Sequence, residues 1–330
     1  MATEFPDVET IRTVLSLATR APSVHNSQPW RWRVGDESLD LYSDTTKHLP
    51  QTDPDGRDLL VSCGATLHHA VVALSALGWR SRITRLPNPA DADLLAVIEV
   101  SPCEPSEIEI SLAAAIPRRR TDRRLFSSWP VARADIAMIG VRLARMGVQL
   151  RHVEMSTDMR AIVAQAVWQH VYDGEYLREL TTWSGRYAST AGVPARNTPE
   201  SDPAAPLPGR IFASAVLAQP SNTVATGDHA IVLALGTNSD DDLDRLRAGE
   251  ATSMALLTCT ALGLSSCPVS EPLEVAETRE AIRAEVFGDT DHPQMMIRVG
   301  WARVGADPLP STPRRPLDEV VRTLAGDPIG

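Results

Sequence analysis

Lysine is all but missing from this chain. Of its 32 basic side chains only Lys47 is a lysine, so any phosphate it binds must be held by arginine, backbone amides or hydroxyls. A net positive surface is lacking as well. With 42 acidic residues, a net charge of −10 and a pI near 5.3, a general electrostatic grip on nucleic acid or anionic lipid is excluded as an expectation. The four cysteines, Cys63, Cys103, Cys259 and Cys267, form no C-x-x-C and have no matching histidine cluster, which argues against a zinc site or a disulfide framework. Gly-x-Ser-x-Gly, Gly-x-Gly-x-x-Gly and P-loop strings are absent. The start of the chain has no basic flank followed by an apolar stretch, and no apolar run approaches the roughly 18 residues of a membrane span. A cytoplasmic protein without membrane contact is expected.

What is present is enough apolar residue for a real core, 43% of 330 residues, and a length that suggests two packed units at roughly 150 residues each. Internal repetition supports two units. Gly64 to Gly78 reads as an apolar helix closed by a C-terminal glycine, and Gly249 to Gly263 reads the same way. Ala70, Ala76 and Leu77 recur as Ala255, Ala261 and Leu262. Period-two patterns predict strands at Trp30–Val34 and Leu39–Tyr42 before the first apolar helix, and at Val148–Val153 and Ile231–Leu235 before the second. Leu94–Val100 and Met295–Val299 follow as a further strand in each half. The fold class expected is α+β, two related halves in one chain, 1–115 and 116–330, packed through their apolar helices as a pseudo-dimer.

The second half is interrupted from about 156 to 228. This insertion opens on a helix with Trp168, Tyr172 and Tyr176 at i, i+4 and i+8, followed by Trp183 and Tyr187. It continues through a stretch with Pro194, Pro199, Pro203, Pro206 and Pro208, too rich in proline for helix or central strand. A connection of this length usually serves as a lid or binding loop. Ordinary core packing is the competing reading of the aromatic stripe.

Three segments carry candidate chemistry. Arg118-Arg119-Arg120-Thr121-Asp122-Arg123-Arg124 places five arginines in seven residues of an acidic chain. Forked guanidiniums beside a hydroxyl suit a phosphate dianion, although such a run can also be a solvated face. Arg314-Arg315 forms a second basic pair before a predicted closing helix. Ala21-Pro22-Ser23-Val24-His25-Asn26-Ser27-Gln28-Pro29-Trp30 reads as a turn whose short donors and acceptors could meet the edge of a planar heterocycle. His68 and His69 on the apolar helix read as packed histidines, and Asp240-Asp241-Asp242 as a helix N-terminus and not a metal site.

These residues resemble the nitroreductase-like FMN flavoproteins. Pro22-Ser23-x-x-Asn26-x-Gln28-Pro29-Trp30 is similar to the string that lies near the flavin ring in that family. Arg119-Arg120-Thr121-Asp122-Arg123 resembles its Arg-x-Ser/Thr-x-Arg/Lys motif for the phosphate and ring. The segment from Ala261 to Pro268 resembles the helix end leading to backbone beside the flavin. Length and the arginine run resemble the Acg-type mycobacterial branch, which is similar to a nitroreductase dimer fused into one chain. The resemblance implies one FMN in one composite site with a degenerate pseudo-symmetric mate. Arg119, Thr121 and Arg315, with Arg120 and Arg314 beside them, would meet the phosphate. Arg123, Ser23, Asn26 and Gln28 would lie near the pyrimidine edge, and backbone at Pro268, Val269 and Ser270 near the central ring. It implies no protein catalytic residue, and a monomer complete by internal duplication. Two functions follow as expectations: FMN retention under a lid in which Trp168, Tyr172, Tyr176 or Trp183 takes the stacking position and excludes nicotinamide, or NAD(P)H-dependent FMN oxidoreductase turnover with an opening lid.

Overall fold

Trp30 and Trp32 alternate with the exposed Arg31 and are almost completely buried, so the strand Trp30–Val34 hangs its indoles on one side of a sheet. The computed structural model describes residues 5–185, 189–200, 207, 210–219 and 228–329. In chain order the first part contains α1 (Val8–Ala18), β1 (Trp30–Val34), β2 (Ser38–Ser43), α2 (Arg57–Ala76), β3 (Trp79–Arg85), β4 (Leu94–Pro102) and α3 (Glu107–Ala115). The middle contains α4 (Arg133–Ala144), β5 (Gln149–Val153), α5 (Thr157–Tyr172) and α6 (Gly174–Trp183). Then come β6 (Ile231–Thr237), α7 (Asp242–Ala261), β7 (Ser265–Val269), α8 (Glu271–Glu274), α9 (Ala276–Phe287), β8 (His292–Gly300), α10 (Leu317–Val320) and β9 (Val321–Thr323). Two sheets result, one in the order β3-β4-β2-β1-β9 and one in the order β5-β6-β8-β7.

The two long helices cross at the paired glycines. A Cβ on Gly64 would sit 2.0 Å from the Leu246 carbonyl oxygen, and one on Gly249 would sit 2.1 Å from that of Val61. Only glycine permits so close a backbone approach. One turn further on, Ser253 Oγ lies 2.7 Å from His68 Nδ1 and 3.0 Å from His69 Nδ1. Both histidines are buried, and burial lowers the pKa of each, to about 4 for His68 and well below 6.5 for His69. By length and hydropathy α2 could cross a membrane, but most of its side chains are buried in the core, where an apolar helix is satisfied by protein.

Several expectations need correction. Both core helices begin earlier than their apolar runs, because polar side chains make their first turns. Asp53 accepts the Asp58 and Leu59 amides at 2.9 and 2.8 Å from upstream of α2, and Asp241 caps α7 by accepting the Asp244 amide at 2.8 Å. Strand β7 had no strong alternation to announce it, and β3, in which the exposed Arg80, Arg82 and Thr84 do alternate with less exposed neighbours, was not among the expected strands. The aromatic helix is two helices, broken at Asp173, whose carboxylate caps α6 through the Glu175 and Tyr176 amides at 2.8 and 3.1 Å. The closing helix is a single turn that becomes β9, paired parallel with β1 in register Trp32↔Val321. The chain therefore does not divide cleanly at residue 116: its tail returns to complete the first sheet.

Candidate functional site

The turn after α1 carries three non-glycine residues at positive φ: His25 at 46°, Asn26 at 55° and Gln28 at 54°. Such backbone costs on the order of 1–3 kcal/mol per residue and persists where surroundings enforce it. The surroundings here are explicit. Val24 donates its amide to Ser62 Oγ at 3.1 Å, and Gln28 donates its amide to Ser23 Oγ at 3.0 Å. Asn26 Nδ2 donates to Gly192 O at 2.9 Å and Pro313 O at 3.2 Å. Gln28 Nε2 donates to Thr190 O at 2.8 Å, while its Oε1 accepts the Arg315 amide at 2.8 Å. Asn26 and Gln28 are thus fasteners joining the turn to the insertion and to the C-terminal strap. Ser23 alone of the three expected turn residues lines the adjacent cavity.

That cavity holds about 1310 Å³ of space outside protein atoms, its solvent-open mouth included. One wall is a single face of α2, where Asp58, Val61, Ser62 and Ala65 follow helical spacing. A second wall is the end of β7 with Cys267, Pro268, Val269 and Ser270. A third is the basic run. Thr121 bridges Ser266 and Asp122 donates its amide to Ser266 O at 2.9 Å, which lays the run along the edge of β7 and brings Thr121 and Arg123 to the cavity. The insertion supplies the fourth wall with Val193, Pro199, Glu200, Arg210, Phe212 and Gln219.

Charge pairs fix this cover. Arg210 is ion-paired with Glu274, donates to Tyr176 Oη at 2.7 Å, and lies 2.8 Å from His25 Nε2. A guanidinium only donates, so His25 Nε2 accepts and the neutral ring carries its proton on Nδ1. Burial first, then Arg210 and Arg123, hold the His25 pKa well below 6.5. Arg123 donates to Asn197 O at 3.3 Å and stands 5.0 Å from the centre of the Phe212 ring. Asp228 accepts from Arg298 Nη2 at 2.6 Å and from the Phe126 amide at 2.9 Å.

The expected aromatics do not form this wall. Trp168 and Tyr172 are 61% and 73% exposed, and Tyr176 is buried beneath Arg210, stacked on His170 at 3.8 Å. The break at Asp173 separates Tyr176 from Trp168 and Tyr172, which pack on each other at 4.8 Å, and among the described residues Phe212, from a segment with no readable periodicity, is the insertion's aromatic that lines the cavity.

Arginines of opposite character gather next door. Arg20, Arg119, Arg120 and Arg314 line a recess of about 300 Å³. Among the described residues none of the four forms a salt bridge with a carboxylate, and Arg119 Nε and Arg120 Nε are buried without a hydrogen-bond partner. Burial, and after it the neighbouring guanidiniums, lowers Arg119 to about 10 and Arg314 to about 9; both stay charged at neutral pH. Arg119 Nη1 lies 3.5 Å from Thr121 Oγ1, the group that joins recess to cavity.

Arg314 and Arg315 exchange their expected places. Arg315 pairs with Asp44 at 3.2 Å and leaves the recess, whereas Arg314 lines it. Arg314 nonetheless spends its donors on carbonyls of Thr19, Arg20 and Ala21 at the end of α1 and of Thr312 and Pro313, at 2.9 to 3.2 Å. It clamps the strap to a helix C-terminus, where a cation is favoured, and contributes field more than free donors. Arg20, which the sequence motifs do not mark, lines the recess, and Arg315 does not.

The Nitroreductase family pattern matches residues 161–301. The Mycobacterium tuberculosis protein named "Putative NAD(P)H nitroreductase Rv3131" is 61% identical over 321 residues, 97% of this chain and 93% of its own length. This chain belongs to the nitroreductase family. Another member from that organism, "Putative NAD(P)H nitroreductase acg", is 36% identical over 328 residues and 97% of both chains. Among solved structures, the FMN-dependent nitroreductase NfnB from Mycobacterium smegmatis in complex with NADPH aligns at 16% identity, over 66% of this chain and 99% of that one, with a TM-score of 0.39. The family's pattern falls on α5 through β8, while the turn at Ser23 and the recess at Arg20 come from outside the matched residues. Sequence reasoning missed Asp58, His25, Arg210 and Phe212 as cavity residues; only the helical spacing from Asp58 to Ala65 offered a signal.

Proposed function

We propose that this nitroreductase-family chain holds one FMN, its ring in the cavity beneath the insertion and its phosphate in the arginine recess. The observation that carries the reading is the recess itself. Buried guanidiniums repel one another, and their unpartnered Nε atoms call for an anion that no carboxylate of the described chain supplies. Arg119, Arg120 and Arg20, with the Thr121 hydroxyl, are the residues to hold a phosphate dianion. Ser23 and Arg123 are placed to meet the ring edge, and Pro268 to Ser270 form the wall against which its centre would rest. Bound FMN supplies two-electron redox chemistry. The names of the relatives agree with that chemistry.

We infer further that the protein retains FMN under cover and turns over NAD(P)H poorly. Support comes from the fasteners: Asn26 holds Gly192, Gln28 holds Thr190, Arg123 holds Asn197 and Glu274 holds Arg210. Nicotinamide needs an exposed ring face, and Phe212 lines the cavity. The crossing of α2 and α7 lies within one chain, so a monomer suffices in this reading. Titration of the purified protein with FMN, followed by flavin fluorescence, tests the first proposal; failure to bind FMN defeats it. Stopped-flow mixing of the loaded protein with NADPH tests the second. Slow or absent bleaching, with full bleaching by dithionite, is expected; rapid bleaching and reoxidation by a nitroaromatic would establish an active oxidoreductase with an opening cover.

A further inference from the structure

A buried carboxyl stands on the cavity wall without any hydrogen-bond partner. Asp58 is 2% exposed, and neither of its carboxyl oxygens accepts or donates a hydrogen bond. It occupies the first turn of α2 and shares the cavity face with Val61, Ser62 and Ala65. Resting on the FMN reading above, we propose that Asp58 is the proton donor of this cavity, passing its proton to the ring held there as that ring takes up electrons.

The charges around Asp58 come from several elements. Arg57 Nη2 lies 2.7 Å from Oδ1, out of hydrogen-bonding alignment, while its Nη1 donates to Gln294 O at 3.0 Å. Asp53, before α2, directs both carboxylate oxygens to the first amides of the helix. Glu274 of α8 faces the same region, bound to Arg210, and Glu200, Glu271, His25, Arg123 and Arg298 complete the charged lining among the described residues. Burial raises the Asp58 pKa to about 7; Arg57 and Arg210 pull it down while Asp53 and Glu274 push it up. The acid is therefore stocked with a proton near neutral pH, and a group with matched affinity is the efficient donor.

The step balances with a hydride donor. The donor gives the ring two electrons and one proton. The Asp58 O–H bond breaks, its electron pair stays on the carboxylate, and its proton completes the reduced ring. Arg57 then faces a full negative charge at Oδ1, which keeps the carboxylate ionised while the ring stays reduced, and the proton returns to Asp58 when the ring is reoxidised.

Infrared difference spectroscopy of the full-length FMN-loaded protein, reduced with dithionite at pH 6.5, tests the proposal without requiring turnover. Dithionite supplies electrons alone, so protons must come from protein or solvent. The expected result is loss of one protonated-carboxyl C=O band on reduction, absent from the Asp58→Asn variant and shifted in Asp58→Glu. A difference spectrum with no carboxyl loss, or with the same loss in Asp58→Asn, overturns the proposal. Should Asp58→Asn fail to fold, the wild-type band and its shift in Asp58→Glu still decide. Failure of the protein to bind FMN defeats the cofactor reading and this one together; FMN binding with an unchanged carboxyl band defeats this one alone.

Discussion

Two groups of arginines, far apart in sequence, live in opposite electrostatic conditions. Arg210, Arg298 and Arg315 each meet a carboxylate, Glu274, Asp228 and Asp44, and each pair fastens one segment of chain to another. Arg119 and Arg120 are drawn inward with no such partner among the described residues, and Arg119 is lowered to about 10 by burial and by its neighbours. A buried pair holds structure together, whereas buried like charges weaken the protein until an anion arrives. The same residue type thus marks the latch in one place and the candidate ligand site in the other.

The largest effect expected from this contrast is at the latch. Arg210→Ala leaves Glu274 buried with Ser270 Oγ at 2.7 Å as its remaining hydrogen-bond partner, and should ease opening of the cover by about 3–5 kcal/mol. Amide hydrogen exchange over 189–199 measures this, and unchanged protection there would remove Arg210 from the latch. The recess should answer with the opposite sign. Arg119→Ala should weaken FMN binding by a factor of about 10–100, corresponding to the ~1.5–3 kcal/mol of a charged hydrogen bond, while the FMN-free protein becomes no less stable. A variant that loses stability but keeps its FMN affinity would break the comparison.

Acid should reveal a third kind of buried base. His25, His68 and His69 all have folded-state pKa values below the ordinary 6.5, with burial the leading cause. The unfolded chain therefore binds more protons once the pH drops below about 6.5, and stability is lost from there downward, for His68 until about pH 4. Each histidine contributes up to about 1.4 kcal/mol per pH unit in that window. Urea denaturation at pH 7 and pH 5 checks it, with His68→Gln expected to flatten the dependence. The smallest effect is expected at Tyr172→Ala, within about 0.5 kcal/mol and without change in FMN retention, because that ring is 73% exposed. A marked release of FMN from this variant would restore the aromatic stripe as part of the cover.

The glycines at 64 and 249 were legible as marks on the two apolar helices, and they are glycine because a helix crossing at backbone contact admits no side chain. The basic run was legible as concentrated positive charge because that charge density is written in consecutive residues. Its division was not. Thr121 and Arg123 turn to the cavity while Arg119 and Arg120 line the recess, because the bridge from Thr121 to Ser266 fixes the run against β7 at the point where the two spaces meet. Asn26 and Gln28 were found as site residues and prove to be fasteners, because their partners at 190, 192, 313 and 315 lie far away in the chain.

By itself, then, the sequence determined the helical core, the strand pairs with alternating burial and the presence of concentrated positive charge, all of which follow from short-range periodicity and composition. Which arginine is neutralised and which is left waiting, and that Asp58 and Phe212 share one cavity, was decided by the tertiary structure alone. Charge pairing and desolvation depend on what lies within a few ångströms, and in this chain those neighbours come from segments as distant as Asp44 and Arg315.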